Sequence, residues 1–235
     1  MLVLSGMKFR HEWKFNISDC ERAVVNNKIN KVLMCDEHIK NGDTYYVHSL
    51  YFDDYFNSCM KDNDAGISKK YKWRIRYYND NFDYICLEKK EKSNSLSRKR
   101  VCQLSKDQYT DIVNDEIHKV FWNTDNKLLK EFCYDILTKM FRPKIIVDYE
   151  RTAFVEKISN IRITFDKNIS VSKEIEKFFD GGYTKIPIQS INDNIMEVKF
   201  DDILPSHLKL ATNINNLKQI NYSKYYLGRN FIERN

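Results

Sequence analysis

The chain has 235 residues, of which 42% are hydrophobic and 14% aromatic, a composition typical of a soluble globular protein with a buried core. Only three prolines and six glycines occur, which excludes a linker-rich chain and favours a single domain over residues 1–235. The net charge of +6 comes from interspersed acidic and basic residues, which excludes a polybasic arm.

The predicted elements alternate between strands and helices without a strict βαβ order. Period-two patterns predict strands over 8–17, 45–53, 70–78, 82–90, 98–104, 144–156, 161–169 and 195–200. Ser18 with Glu21, and Ser105 with Gln108, are capping boxes that predict two helix starts. Further helices are expected over 126–141, from Pro205, and over 223–231. This order favours an antiparallel α+β domain over a doubly wound sheet.

Two features of the sequence bear on cellular location, namely the cysteines and the first residues. The six cysteines have no CxxC spacing, which indicates reduced thiols in a cytoplasmic protein. The apolar run at 1–4 is too short for a signal peptide or a membrane span. If Met7 is the true start, residues 1–6 are an N-terminal extension.

Charged residues are paired at positions i and i+2 on several predicted strands. The pairs are Glu12 with Lys14, Arg74 with Arg76, Glu88 with Lys90, Arg98 with Arg100, and Glu197 with Lys199. Because strand side chains alternate faces, each pair lies on one face and apolar residues lie on the other. One wet face is normal in an antiparallel sheet, so any single pair can be an ordinary solvated surface.

The five pairs together indicate one shared charged surface. If the sheet closes into a barrel, these faces line its interior, and so many cations would repel one another without an anion. Arginine also matches two phosphate oxygens with its planar fork. We therefore expect phosphates as the occupant and the few interior carboxylates as ligands of Mg²⁺ or Mn²⁺.

Eight short motifs, in order from about residue 8 to 230, resemble the catalytic domain of the vacuolar transporter chaperone (VTC) family. They are RHEWKF at 10–15, SLYFD at 49–53, KWRIRYY at 72–78, LEKK at 87–90, YERTAF at 149–154, IRITFD at 161–166, MEVKF at 196–200 with Leu204-Pro205, and YSKY at 222–225. This family belongs to the triphosphate tunnel metalloenzymes. The resemblance implies a closed eight-stranded antiparallel β-barrel, decorated with helices, whose lumen binds triphosphate or polyphosphate.

The resemblance also implies roles for individual residues. The cations expected to contact phosphate in catalysis are Lys14, Arg74, Arg76, Lys90, Arg151, Arg162, Lys199 and Lys224. Arg98 and Arg100 match a Lys-x-Arg motif, with Arg in place of the Lys, and are expected to bind phosphate. Glu197 is expected to be the principal ligand of Mn²⁺ or Mg²⁺, supported by Glu12 and Glu88.

The function implied by the resemblance is that of a polyphosphate polymerase, which moves the γ-phosphoryl group of ATP onto a polyphosphate chain. Water as the acceptor would instead give a metal-dependent inorganic or nucleoside triphosphatase. The third alternative is a polyphosphate-binding module without catalysis. In the eukaryotic assembly synthesis is coupled to translocation across a membrane, a role that a partner would have to supply here.

Nucleic acid is a rival partner that the sequence disfavours. Lys69-Lys70, Lys89-Lys90 and 98–100 are basic and have aromatic neighbours, as in nucleic-acid surfaces. However, the sequence pI of about 8.8 lies below the value typical of such domains, and the charges alternate along strands.

Overall fold

The computed structural model describes residues 8–36 and 44–234, and the expected extension at 1–6 lies outside this part. Ten strands are described: β1 (Arg10–Ser18), β2 (Met34–Cys35), β3 (Tyr45–Asp53), β4 (Lys69–Tyr78), β5 (Asn81–Ser93), β6 (Leu96–Leu104), β7 (Arg142–Glu156), β8 (Ile161–Ser172), β9 (Ile186–Pro187) and β10 (Asp193–Phe200). The α-helices in the same ranges are α1 (Asp19–Ile29), α2 (Ser58–Asp64), α3 (Lys106–Val113), α4 (Ile117–Trp122), α5 (Lys127–Lys139), α6 (Ser206–Thr212) and α7 (Lys224–Arg234).

Eight of these strands form a closed ring of antiparallel pairs. The order is β7-β3-β4-β5-β6-β1-β10-β8, and β8 pairs with β7 to close it. The two-residue strands β2 and β9 pair with β7 and β8 respectively. The α+β class and the eight-strand antiparallel arrangement expected from the sequence are therefore present.

Two apolar cores lie on the outer side of the ring. The larger packs the outer faces of β4 and β5, through residues such as Trp73 and Leu87, against Phe132 of α5. The smaller packs β8 and β10, through residues such as Ile163 and Val198, with α1 and α6. Since the sheet directs its apolar face outward, under the helices, the charged face is left for the interior.

Local signals placed several elements correctly. Both capping boxes form, with Ser18 beginning α1 and Ser105 beginning α3. The β4–β5 hairpin turns at Asn79 and Asp80, which have φ of 50° and 53°, as a two-residue primed turn requires. The polar segment that follows β3, up to Gly66, predicts a loop, but it contains helix α2.

The end of α5 differs from the prediction. The sequence predicts a helix over 126–141, but α5 ends at Lys139 and Met140 has a left-handed φ of 55°. The chain has therefore left the helix before Pro143, which lies in β7. Within the described residues, no helix has the length and apolarity needed to cross a membrane.

Candidate functional site

The ring encloses a cavity of about 510 Å³ that is strongly basic. Its walls come from seven of the eight ring strands, together with Asn63 of α2 and the segment 219–225 that leads into α7. Among the described residues, nine lysines and arginines line it, whereas only two carboxylates, Glu12 and Glu197, do so. This imbalance favours the binding of an anion with several charges.

Glu12 and Glu197 lie on the neighbouring strands β1 and β10, where register sets Glu12 opposite Lys199 and Lys14 opposite Glu197. Lys199 Nζ is 2.5 Å from a Glu197 oxygen, and Lys14 Nζ is 3.2 Å from Glu12 and 3.4 Å from Glu197. Lys90 Nζ, from β5, donates to Glu12 at 2.6 Å. The structure thus brings five of the predicted site residues into one cluster.

The lysines of this cluster keep both carboxylates ionised. Burial opposes ionisation, and Glu197 also opposes that of Glu12, but Lys90, Lys14 and Lys199 outweigh both effects and hold the pKa of Glu12 below its usual range. The pKa of Glu197 is likewise held well below its usual value, because Lys199 and Lys14 outweigh its burial. Burial lowers the pKa of Lys90 to about 8.

Arg151 and Lys224 meet at a third interior carboxylate, Asp166 of β8. Arg151 donates two hydrogen bonds to the two Asp166 oxygens, at 2.6 and 2.8 Å, and Lys224 donates to one of them at 2.5 Å. Burial alone would raise the pKa of Asp166, but Arg151 and Lys224 outweigh it and lower the pKa to about 2. Asp166 therefore bonds Arg151 and Lys224, the two cations here that the resemblance expects to contact phosphate.

Arg74 and Arg76 meet Glu88, which is 1% exposed. Arg74 contacts Glu88 at 2.5 Å and Arg76 lies 3.7 Å from it. Arg74 also donates to the Tyr51 hydroxyl at 2.8 Å. Although burial would raise the pKa of Tyr51, Arg74 and Arg76 lower it to about 7.

Arg162 is on the inner face of β8 but does not line the cavity. It bonds Asp36 at 2.7 Å and the Tyr45 hydroxyl at 3.1 Å, and its register partner is Lys199. Arg162 is thus a neighbour of the cluster formed around Glu12 and Glu197.

The expected placement of Arg98 and Arg100 inside the ring is wrong. Both side chains bond Glu91 at 3.0 Å, and Arg100 also bonds Glu131 of α5 at 2.7 Å. They share the face of β6 that carries Cys102 and Leu104, which belong to the outer core. Lys99, between them, points inward and donates to Glu88 at 2.8 Å.

Glu12 and Glu197 are the two carboxylates of the cavity lining that could hold a divalent metal. Among the described residues there is no group of three or more His, Cys, Asp or Glu side chains that could hold a metal ion. Magnesium, however, is commonly bound by one or two carboxylates and completed by phosphates and water. Glu88 is enclosed by Arg74, Arg76 and Lys99 and is not grouped with the other two carboxylates.

Several residues of the ring interior were not among the site residues expected from the sequence. Asp166 stands in a quoted motif, and its spacing of four from Arg162 already put both on one strand face. Tyr51 also stands in a quoted motif, but its contact with Arg74 depends on the pairing of β3 with β4. The inward lysines Lys70 and Lys92 continue the alternation of Lys72 and Lys90.

The family model of the VTC domain matches residues 9–232, nearly the whole chain. The chain belongs to the VTC domain family. No curated protein matches it by sequence.

Solved structures show the same fold at low sequence identity. A putative adenylyl cyclase from Hippeastrum, described as having a dominant triphosphatase activity, is 12% identical with a TM-score of 0.56, and the alignment covers 96% of each chain. A putative adenylate cyclase from Vibrio parahaemolyticus is 8% identical with a TM-score of 0.51, covering 94% of this chain and 97% of the other. One from Bacillus halodurans is 12% identical with a TM-score of 0.50, covering 93% and 95%.

Proposed function

We propose that this VTC domain is a metal-dependent phosphotransferase that transfers the γ-phosphoryl group of ATP onto a polyphosphate chain inside the basic cavity. The observation that carries the proposal is the charge of that cavity, where nine cations face two carboxylates. A linear chain of phosphates would contact cations along the length of this surface, whereas a single small anion would reach only a few of them.

Six of the predicted cations line the cavity and would contact the phosphates directly: Lys14, Arg74, Lys90, Arg151, Lys199 and Lys224. Phosphoryl transfer depends mainly on positioning and on neutralising the charge of the transferring group, so these cations can supply much of the catalysis. Arg76 is held by the hydroxyls of Ser49 and Tyr149, each at 2.9 Å, and would support Arg74 from behind.

The metal, Mg²⁺ or Mn²⁺, would be held by Glu197 with Glu12, and it would offset charge on the phosphate oxygens. In the absence of substrate, Glu12, Glu197 and Asp166 serve as counterions for the cations. On binding, the phosphates would take over the lysine and arginine contacts, which would free Glu12 and Glu197 for the metal. Glu12 and Glu197 would thus balance the cations of the empty site and become metal ligands when it is filled.

The second candidate is a triphosphatase, in which water replaces the phosphate chain as the acceptor. The observation that favours it is the triphosphatase activity described for the Hippeastrum protein, which has the same fold. Both candidates would use the same donor phosphates and the same metal site, so only the products distinguish them.

The test is to incubate the protein with ATP and Mg²⁺ or Mn²⁺ and to measure polyphosphate on gels and free phosphate in parallel. Glu197→Gln is expected to lower either activity at least a hundredfold, because it removes the charge of the expected principal metal ligand. Glu91→Gln is the matched control, since Glu91 lies on the outer face and contacts Arg98 and Arg100. Polyphosphate chains that the wild type and Glu91→Gln form but Glu197→Gln does not would support the polymerase. Release of free phosphate without polyphosphate would support the triphosphatase. Retained polyphosphate binding without either product would refute catalysis.

A further inference from the structure

Four lysines form a square on the inner faces of β4 and β5. Register places Lys70 directly opposite Lys92, and Lys72 directly opposite Lys90. All four line the cavity. Like charges that face each other across two strands destabilise the pair, so this arrangement opposes folding unless something neutralises it.

Among the described residues, only Lys90 of this square has an acidic partner. Lys90 bonds Glu12 at 2.6 Å, whereas Lys70, Lys72 and Lys92, here called the outer lysines, have no carboxylate within 4.0 Å among residues 8–36 and 44–234. The cations deeper in the ring differ in this respect, since Arg74 bonds Glu88 and Arg151 bonds Asp166.

The outer lysines are instead held by uncharged oxygens. Lys72 Nζ donates to the Ser223 hydroxyl at 2.9 Å and contacts the Asn63 side chain at 3.4 Å. Lys70 Nζ donates to the backbone carbonyl of Asp62 at 3.2 Å. Lys92 Nζ donates to the side-chain oxygen of Asn221 at 3.5 Å. Phosphate oxygens would be stronger acceptors for these ammonium groups than neutral oxygens are.

The charge on these lysines is correspondingly disfavoured in the unliganded protein. Burial, with Lys90 and Lys70 nearby, lowers the pKa of Lys72 to about 8. Burial and the facing Lys92 lower the pKa of Lys70. An anion placed among them would reverse both effects.

We propose that the outer lysines form a separate subsite that binds the phosphates of a polyphosphate chain beyond the units held in the interior of the ring. The subsite rests on the proposed function, because it adds a preference for long chains to the same cavity. Lys72 and Lys70 lie two and four residues before Arg74 on an extended strand, so the subsite extends from about 7 Å to about 13 Å from that arginine. A tripolyphosphate centred on Arg74 and Arg151 would not reach Lys70 and Lys92 at the far end of the subsite, whereas a longer chain would.

The experiment compares the binding of two probes, inorganic tripolyphosphate and linear polyphosphate of several tens of units, by titration calorimetry. The test variant is Lys70→Ala combined with Lys92→Ala, since both lysines are outside the set expected to act in catalysis. Lys69→Ala is the matched control, because Lys69 is on the same strand, exposed, and directed to the opposite face.

The double variant is expected to bind polyphosphate about tenfold more weakly, with tripolyphosphate affinity changed less than about twofold. The salt dependence of polyphosphate binding should also become less steep, because fewer cations contact the chain. Its melting temperature without ligand should be unchanged or higher, since like-charge repulsion is removed.

Two results would overturn the subsite: an equal loss for both probes, or a loss for polyphosphate that Lys69→Ala reproduces. A wild-type protein that binds neither probe would refute the proposed function itself, and the subsite with it. A loss confined to polyphosphate in the double variant supports the subsite whichever product the ATP assay gives.

Discussion

Glu88 provides a sharp test of whether an interior carboxylate acts on the fold or on the metal. Its side chain is almost completely buried, and it contacts Arg74 at 2.5 Å, Lys99 at 2.8 Å and Arg76 at 3.7 Å. Glu88→Gln keeps the size of the side chain but leaves two buried guanidinium groups without a counterion. Removing one partner of a buried ion pair costs about 3–5 kcal/mol, and the two buried arginines favour the upper part of that range.

The free energy of unfolding would be measured by urea denaturation of the wild type and Glu88→Gln without ligand. The exposed ion pair between Glu116 and Lys119 gives the control, because Glu116→Gln should cost less than about 1 kcal/mol. The metal concentration that gives half-maximal turnover should stay at the wild-type value in Glu88→Gln. A loss of stability below about 1 kcal/mol, or a metal requirement shifted as in Glu197→Gln, would refute the structural role.

The same carboxylate predicts a pH dependence of stability. The pKa of Glu88 is held well below its ordinary value of 4.5 in the folded protein, because Arg74 and Lys99 outweigh its burial. A lowered folded-state pKa contributes stability above the unfolded pKa, and this contribution is lost as the pH falls toward the folded value. The difference between wild type and Glu88→Gln should therefore be constant near neutral pH and shrink below 4.5.

Three further predictions concern other parts of the molecule. Tripolyphosphate affinity should fall as the pH rises through about 8, since burial lowers the pKa of Lys90 to that value and an anion binds its protonated form. Calorimetry in buffers of different ionisation enthalpy should detect proton uptake on binding, and the absence of uptake would contradict this prediction. Combined Arg98→Gln and Arg100→Gln should leave tripolyphosphate affinity within about twofold of wild type, because both side chains lie outside the ring; a tenfold loss would place them in the site. Gly228→Ala should destabilise the protein by about 1–3 kcal/mol in urea, since a Cβ there would lie 2.8 Å from the Val171 side chain, and an unchanged midpoint would refute this contact.

Much of the fold could be predicted because its signals are local. The capping boxes at Ser18 and Ser105, the primed turn at Asn79 and the alternation along each strand depend only on neighbouring residues. Alternation along β6 correctly puts Arg98 and Arg100 on one face, but their charge alone wrongly indicated that this face points into the ring. The same face carries Leu104, and an apolar residue at that spacing indicates the side that the helices cover.

The ion-pair partners could not be predicted, because they depend on how the strands are paired around the ring. The sequence shows that Lys14, Lys90 and Glu12 are charged strand positions, but it does not show which of them meet. The pairing of β1 with β6 and β10 brings them within bonding distance. The pairing of β4 with β5 places Lys70 opposite Lys92 and Lys72 opposite Lys90. None of the outer lysines has a carboxylate within 4.0 Å in the described part of the chain, although nothing in their own segments distinguishes them from Lys90. Where register brings cations together with carboxylates, their charges are balanced without a ligand. Where it brings cations together alone, the missing charge must come from the ligand, and that difference is what separates the interior of the ring from the proposed subsite.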